Sequence, residues 1–150
     1  MTAIPTEIEI KILYWPDATP ATEILVILSL VTTKKNDYPL GAFITDNKGI
    51  ILIDKHFIEN TINLMQNNYP MDYSNIPNDH YVIRAIIESK SDLKIRENRL
   101  KQFYPKDADH LSKMIDNSSN ENIESTEIDI DVSSGYAQIT VHKTGATEHD

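Results

Sequence analysis

Three carboxylates stand at alternate positions late in the sequence, at Glu127, Asp129 and Asp131. In an extended strand, alternate side chains share one face at about 6–7 Å spacing. Two carboxylates held that far apart can act as acid and base at a glycosidic bond. The neighbouring residue types do nothing to separate the acidities of these three, so the spacing points to a solvated strand face or a surface for a basic partner. Calcium is a poorer match. The one compact oxygen-rich turn, Asp46-Asn47-Lys48-Gly49, puts a lysine where a ligand is needed.

Other chemistry-bearing residues are scattered. The histidines are His56, His80, His110, His142 and His149, with no His-x-His and no helical His pair. His110 lies three residues from Asp107, but two ligands do not define a metal centre. No serine sits in a Gly-x-Ser-x-Gly elbow. The four glycines cannot assemble a phosphate-cradling loop. The absence of cysteine excludes disulfides, thiolate chemistry and iron–sulfur ligation. The expectation is a protein that is not an enzyme and uses no metal or cofactor.

Charge narrows the partners. The net charge of −9 is segregated. Residues 1–75 carry 5 bases and 9 acids, residues 76–115 carry 8 and 6, and residues 116–150 carry 1 and 8. Phosphate backbones and anionic membranes repel such a chain, so neither nucleic acid nor membrane is expected as a partner. The densest apolar run, Ile24–Leu30, is too short to span a bilayer. No basic region follows Met1 to mark a signal peptide. A soluble, cytoplasmic protein is expected.

The elements that must position these residues follow from periodicity. Ile8, Ile10 and Ile12 alternate with Glu7, Glu9 and Lys11, which is a strand with one wet face, ended by the segment Trp15–Pro20. Glu23–Thr32 is apolar on both faces and β-branched, as in a covered central strand. Lys34–Asp37 reads as a turn. Asp46–Gly49 then predicts a hairpin between Ala42–Thr45 and Ile50–Ile53. Asp54 can cap a helix over Lys55–Asn67 that buries Ile58, Ile62 and Met65. Met71–Asp79 reads as irregular. Tyr81–Glu88 reads as a strand with Tyr81, Ile83, Ala85 and Ile87 inward. Ser91 or Asp92 can start a helix that Pro105 ends, and a shorter helix over Asp107–Asp116 would turn Leu111, Met114 and Ile115 inward. The Asn/Ser run Asn117–Asn122 is a loop. Ile128, Ile130 and Val132 alternate with the three carboxylates. The turn Ser133-Ser134-Gly135 predicts a second hairpin with Tyr136–His142.

The sum is mainly β: a single-domain β-sandwich with two or three short inserted helices, spanning residues 1–143 and followed by a flexible tail over 144–150. The alternative is an α+β sheet with helices on one face. The turn Thr45-Asp46-Asn47-Lys48-Gly49, set between strands after an early strand and a proline-containing loop, resembles the Thr-Asp-x-x-Gly turn of the transthyretin-like and carboxypeptidase-regulatory-like sandwiches. The similarity covers Glu7–Glu88 and implies architecture, with interaction through sheet edges. The Tyr-Arg-Gly-Ser motif of the hydrolase members has no counterpart at Tyr136-Ala137-Gln138-Ile139, so that activity is not implied.

A compact, acidic, cysteine-free chain also resembles, in type, the bacterial immunity proteins that neutralise basic toxins. The functional expectation is therefore a protein-binding module with a basic protein partner. Its contact surface is expected at Glu124, Glu127, Asp129, Asp131, Tyr136 and His142, with Tyr69 and Tyr73 as aromatic anchors. The alternatives are an assembly domain using an exposed, uncharged sheet edge, and a small hydrolase joining His80 or His142 to carboxylates.

Overall fold

The computed structural model describes residues 5–32, 38–73, 76–77, 80–103 and 108–144. Alternation in Glu7–Tyr14 (β1) buries Ile8, Ile10 and Ile12 completely. The chain turns through Trp15–Ala18, with a cis Trp15–Pro16 peptide, into the two-residue strand Thr19–Pro20 (β2). Leu25–Val31 (β3) is buried throughout, as its two apolar faces require. Tyr38–Ile44 (β4) and Ile50–Asp54 (β5) follow. Lys55–Asn68 (α1) starts on Asp54, whose carboxylate accepts the His56 N–H at 2.7 Å, and it buries Ile58, Thr61, Ile62 and Met65. Pro70–Tyr73 (α2), Val82–Ile87 (β6), Lys90–Phe103 (α3), Ala108–Asn117 (α4), Thr126–Asp131 (β7) and Tyr136–Val141 (β8) complete the set among the described residues.

These elements make two four-stranded sheets. β1 is the hub of the first. β5 and β2 share one of its edges antiparallel, and β8 lies parallel along the other, from Glu9 opposite Tyr136 to Tyr14 opposite Val141. The second sheet runs β4-β3-β6-β7, antiparallel throughout. One apolar cluster joins the inner faces: Ile8, Ile10 and Ile12 with Val26, Leu28 and Leu30, together with residues of α1, β6, β7 and β8. A second cluster seats Leu93 and Leu100 of α3 and Leu111 and Ile115 of α4 against Leu25 and Ile27, on the other face of β3. The molecule is thus a mixed α+β domain with two sheets and short helices, where the periodicity pointed to a mainly β one.

Both expected hairpins are connections between sheets. The turn after β4 leads to β5, which pairs with β1, and the turn after β7 leads to β8, which also pairs with β1. The physical reason is the same in each. The Asp46 carboxylate accepts the Lys48 and Ile50 N–H groups, which closes the turn on itself. The Ile12 N–H then donates to Gly49 O at 2.8 Å. Gly49 has φ of 75°, and a Cβ there would stand 2.6 Å from Ile12 O. At the second turn, the Glu9 N–H donates to Gly135 O at 3.0 Å. A tight turn reports the local reversal of the chain; the backbone of β1 decides where the outgoing strand goes.

Two smaller differences concern caps and loops. Ser89 starts α3, its Oγ accepting the Asp92 N–H, where Ser91 or Asp92 was expected. α2 lies in a stretch read as irregular. In the Asn/Ser loop, Asn120 is fully buried. Its Oδ1 accepts the Leu25 N–H at 2.7 Å, and its Nδ2 donates to Leu25 O and Glu88 O at 3.0 and 2.9 Å. The loop is stitched to β3 and the end of β6. The expected Lys34–Asp37 turn and Pro105 stop lie outside the described residues, as does the expected 144–150 tail beyond Thr144, whose N–H donates to Asn122 O at 2.6 Å.

Candidate protein-interaction surfaces

β7 buries Ile130 and half-buries Ile128, and it turns Glu127, Asp129 and Asp131 outward, as the alternation requires. Its register with β6 sets Arg84 opposite Asp129. The Arg84 guanidinium holds that carboxylate at two points, Nε to Oδ1 at 2.9 Å and Nη2 to Oδ2 at 3.2 Å, and lies 3.8 Å from Glu127 Oε1. Asp131 accepts the Ser133 N–H at 2.9 Å and its hydroxyl at 2.7 Å. Those two bonds hold its pKa below the ordinary carboxylate value. The acidic row is therefore engaged by its own chain: two acids by an arginine, the third by a turn.

Glu88, at the end of β6, is buried, and its pKa is raised. Desolvation is the leading cause; Arg96 opposes it, and Asp92 and Glu127 add to it. Arg96 Nε lies 3.3 Å from Glu88 Oε2. Nearby, Ser89, Lys90, Ser91, Lys94, Glu121 and Asn122 line an open recess of about 430 Å³. Its lysines are paired, Lys90 with Glu121 and Lys94 with Asp116, each at 3.0 Å.

The remaining expected contact residues do not join the acidic row. Tyr136 is 48% exposed on β8, in the other sheet, pointing away from the shared core, and its hydroxyl donates to Gln138 Oε1. His142 stacks on Trp15, with ring centroids 5.0 Å apart. Glu124 is exposed, and its N–H donates to His142 O at 2.8 Å. Tyr69 is 52% exposed and meets Tyr38 and Tyr73 edge-on. Tyr73 is 3% exposed and belongs to the core, so it offers no anchor to a partner. The outward rows of β7 and β8 belong to different sheets whose inner faces share one core, and the two rows do not form a single surface.

The strand ends of the sheets show what the residue pattern alone did not. Among the described residues β8 pairs along its length only with β1, so its other edge is a sheet edge. The phase of that edge follows from the ladder. Gly135 O and Val141 O accept from Glu9 and Trp15, so the odd-numbered carbonyls face β1. His142 O accepts from Glu124 on the opposite side. The N–H and C=O groups of Tyr136, Gln138 and Thr140 therefore point outward, and among the described residues none has a backbone partner there. The bridge Ile123–Lys143 closes the edge at one end and the Ser133–Gly135 turn at the other. Between them lies Tyr136-Ala137-Gln138-Ile139-Thr140-Val141, with no charge and no proline. The uncharged alternation was legible; assigning it to a hairpin hid its open side.

Compared with known proteins, the chain matches no protein-family model and no curated protein. Among the described residues, no helix is long and apolar enough to cross a membrane, and no three His, Asp or Glu side chains gather as a metal site.

Proposed function

We propose that this chain is a non-enzymatic protein-binding module that takes an extended partner segment along β8 by strand addition. In this reading the two sheets are the halves of a β-sandwich, and β8 is its receptive edge. The observation that carries it is the uncharged, proline-free edge of β8, with three residues' backbone groups directed outward. Edges of this kind are templates for another strand, and proteins ordinarily blunt them with charge, proline or a bulge. The rival surface, an acidic face for a basic toxin, retains only net charge in its favour, because Arg84 and Ser133 already engage its three acids. A chain without cysteine needs no oxidising compartment, which suits a cytoplasmic setting.

The test is a selection of random extended peptides displayed on phage, read by amide exchange. Bound peptides are expected to protect the Tyr136, Gln138 and Thr140 amides. They are also expected to lose affinity with Gln138→Pro, which removes a donor that the β1 ladder does not use. Binders that ignore Gln138→Pro, or whose affinity follows salt and Asp129→Asn, would overturn the reading.

A further inference from the structure

We infer that the strand which completes this edge is β8 of a second copy, paired antiparallel about a two-fold axis at Gln138. The inference rests on the reading of β8 as a binding edge and names its occupant.

The first argument is phase. The outward-directed residues are Tyr136, Gln138 and Thr140, which are symmetric about Gln138. An antiparallel partner in the register Gln138 opposite Gln138 places Tyr136 of each copy opposite Thr140 of the other. Every outward N–H then meets a C=O, giving three hydrogen-bonded residue pairs. The window is the right length, since the Ile123–Lys143 bridge and the Ser133–Gly135 turn stop the pairing just beyond it on both sides.

The second argument is charge. A protein of net charge −9 repels its own copy over most of its surface. The β8 window has no charge, so it is a stretch where two copies can meet without that cost. Side chains agree as well: exposed Tyr136 would lie across from Thr140, an aromatic and β-branched pair of the kind that stabilises antiparallel strands. The pairing is isologous, so two copies use up both edges and assembly stops at a dimer.

The chain has no native thiol, which allows a clean register test. Residues directly opposite in a hydrogen-bonded antiparallel pair lie about 5.5 Å apart at Cα, within disulfide range. Gln138→Cys is therefore expected to form an oxidised dimer at least about tenfold faster than Thr140→Cys. In the proposed register the two Thr140 positions are offset by four residues, about 13 Å. Sedimentation of the unmodified chain should show a dimer whose dissociation constant does not rise with salt and rises at least about tenfold with Gln138→Lys. Equal cross-linking at the two positions, or a chain that stays monomeric at all concentrations, would overturn the inference. If that monomer still bound displayed peptides through Gln138, the strand-addition reading would stand alone; if it did not, both would fall.

Discussion

β7 and β8 are separated by four residues, and each ends a sheet, yet they are finished differently. β7 shows three carboxylates outward, and Arg84 of its neighbour answers two of them. β8 shows Tyr136, Gln138 and Thr140, none charged. Charge on an edge strand discourages a second strand from docking, because like charges would be brought together. A guarded edge and an unguarded edge in consecutive strands teach where to look for function. The conspicuous acids are paired within the chain, and the bland strand is the one to which the proposed strand addition is assigned.

The variant with the largest expected effect acts on the loop that precedes β7. Asn120 fixes the loop that leads to β7, and that loop also supplies the 122–124 segment closing one end of the β8 edge. Asn120→Ala would leave the buried Leu25 N–H, Leu25 C=O and Glu88 C=O without this side chain's bonds. Buried groups left unsatisfied cost roughly 1–3 kcal/mol each, and water can recover part of that. A loss of about 3 kcal/mol in urea unfolding is expected, with faster exchange at the Glu124 amide. A loss under about 1 kcal/mol would mean that the Asn120 side chain is not what anchors the loop to β3 and β6.

How much of this was readable beforehand follows physical lines. The faces were legible, because alternation in β1, β6 and β7 and the double-sided apolar run of β3 encode burial directly. The α1 cap was legible because Asp54 acts on an N–H two residues away. Pairing was not, since nothing local in Asp46–Gly49 or Ser133–Gly135 says which sheet receives the next strand. Arg84 and Asp129 are 45 residues apart and meet only through register. Asn120 looks like any member of its Asn/Ser run until β3 and β6 surround it. Tyr73 was misplaced for a related reason: a tyrosine beside a turn reads as exposed, and only the packing of α2 onto the core takes it inside.

A moderate effect is expected from removing the cation that answers the acids of β7. Arg84→Met keeps most of the apolar stem and deletes the cation beside Asp129 and Glu127. Both partners are partly solvated, so the loss is about 1 kcal/mol or less at low salt, shrinking as salt screens the two acids from each other. The same variant should gain retention on an immobilised polylysine matrix while the proposed self-association through β8 stays unchanged. If association through β8 moved with it, the two edges would not be independent.

The smallest effect concerns the turn that carries the chain from one edge to the other. Asp131, and its counterpart Asp46 at the β4–β5 crossing, both have carboxylate pKa values held below the ordinary 3.8, by the Ser133 N–H and hydroxyl at one and the Ile50 and Lys48 N–H groups at the other. The sign follows from linkage. A carboxylate more acidic in the folded chain than in the unfolded one adds stability above its unfolded pKa, and that contribution disappears as pH falls through the folded value. Both groups are exposed, so each effect is small, and it is confined to acid below about pH 4. Asp131→Asn should lower stability slightly at neutral pH and flatten part of the acid limb of thermal unfolding; Asp46→Asn should do the same independently, since the two turns share no partner. Ser133→Ala separates the two bonds at Asp131: it deletes the hydroxyl and keeps the N–H, so a shallower acid limb than wild type and a steeper one than Asp131→Asn is expected. An acid limb unchanged in all three variants would show that these turns are held by the β1 backbone alone, and the crossing from the guarded edge to the open one would then need no carboxylate.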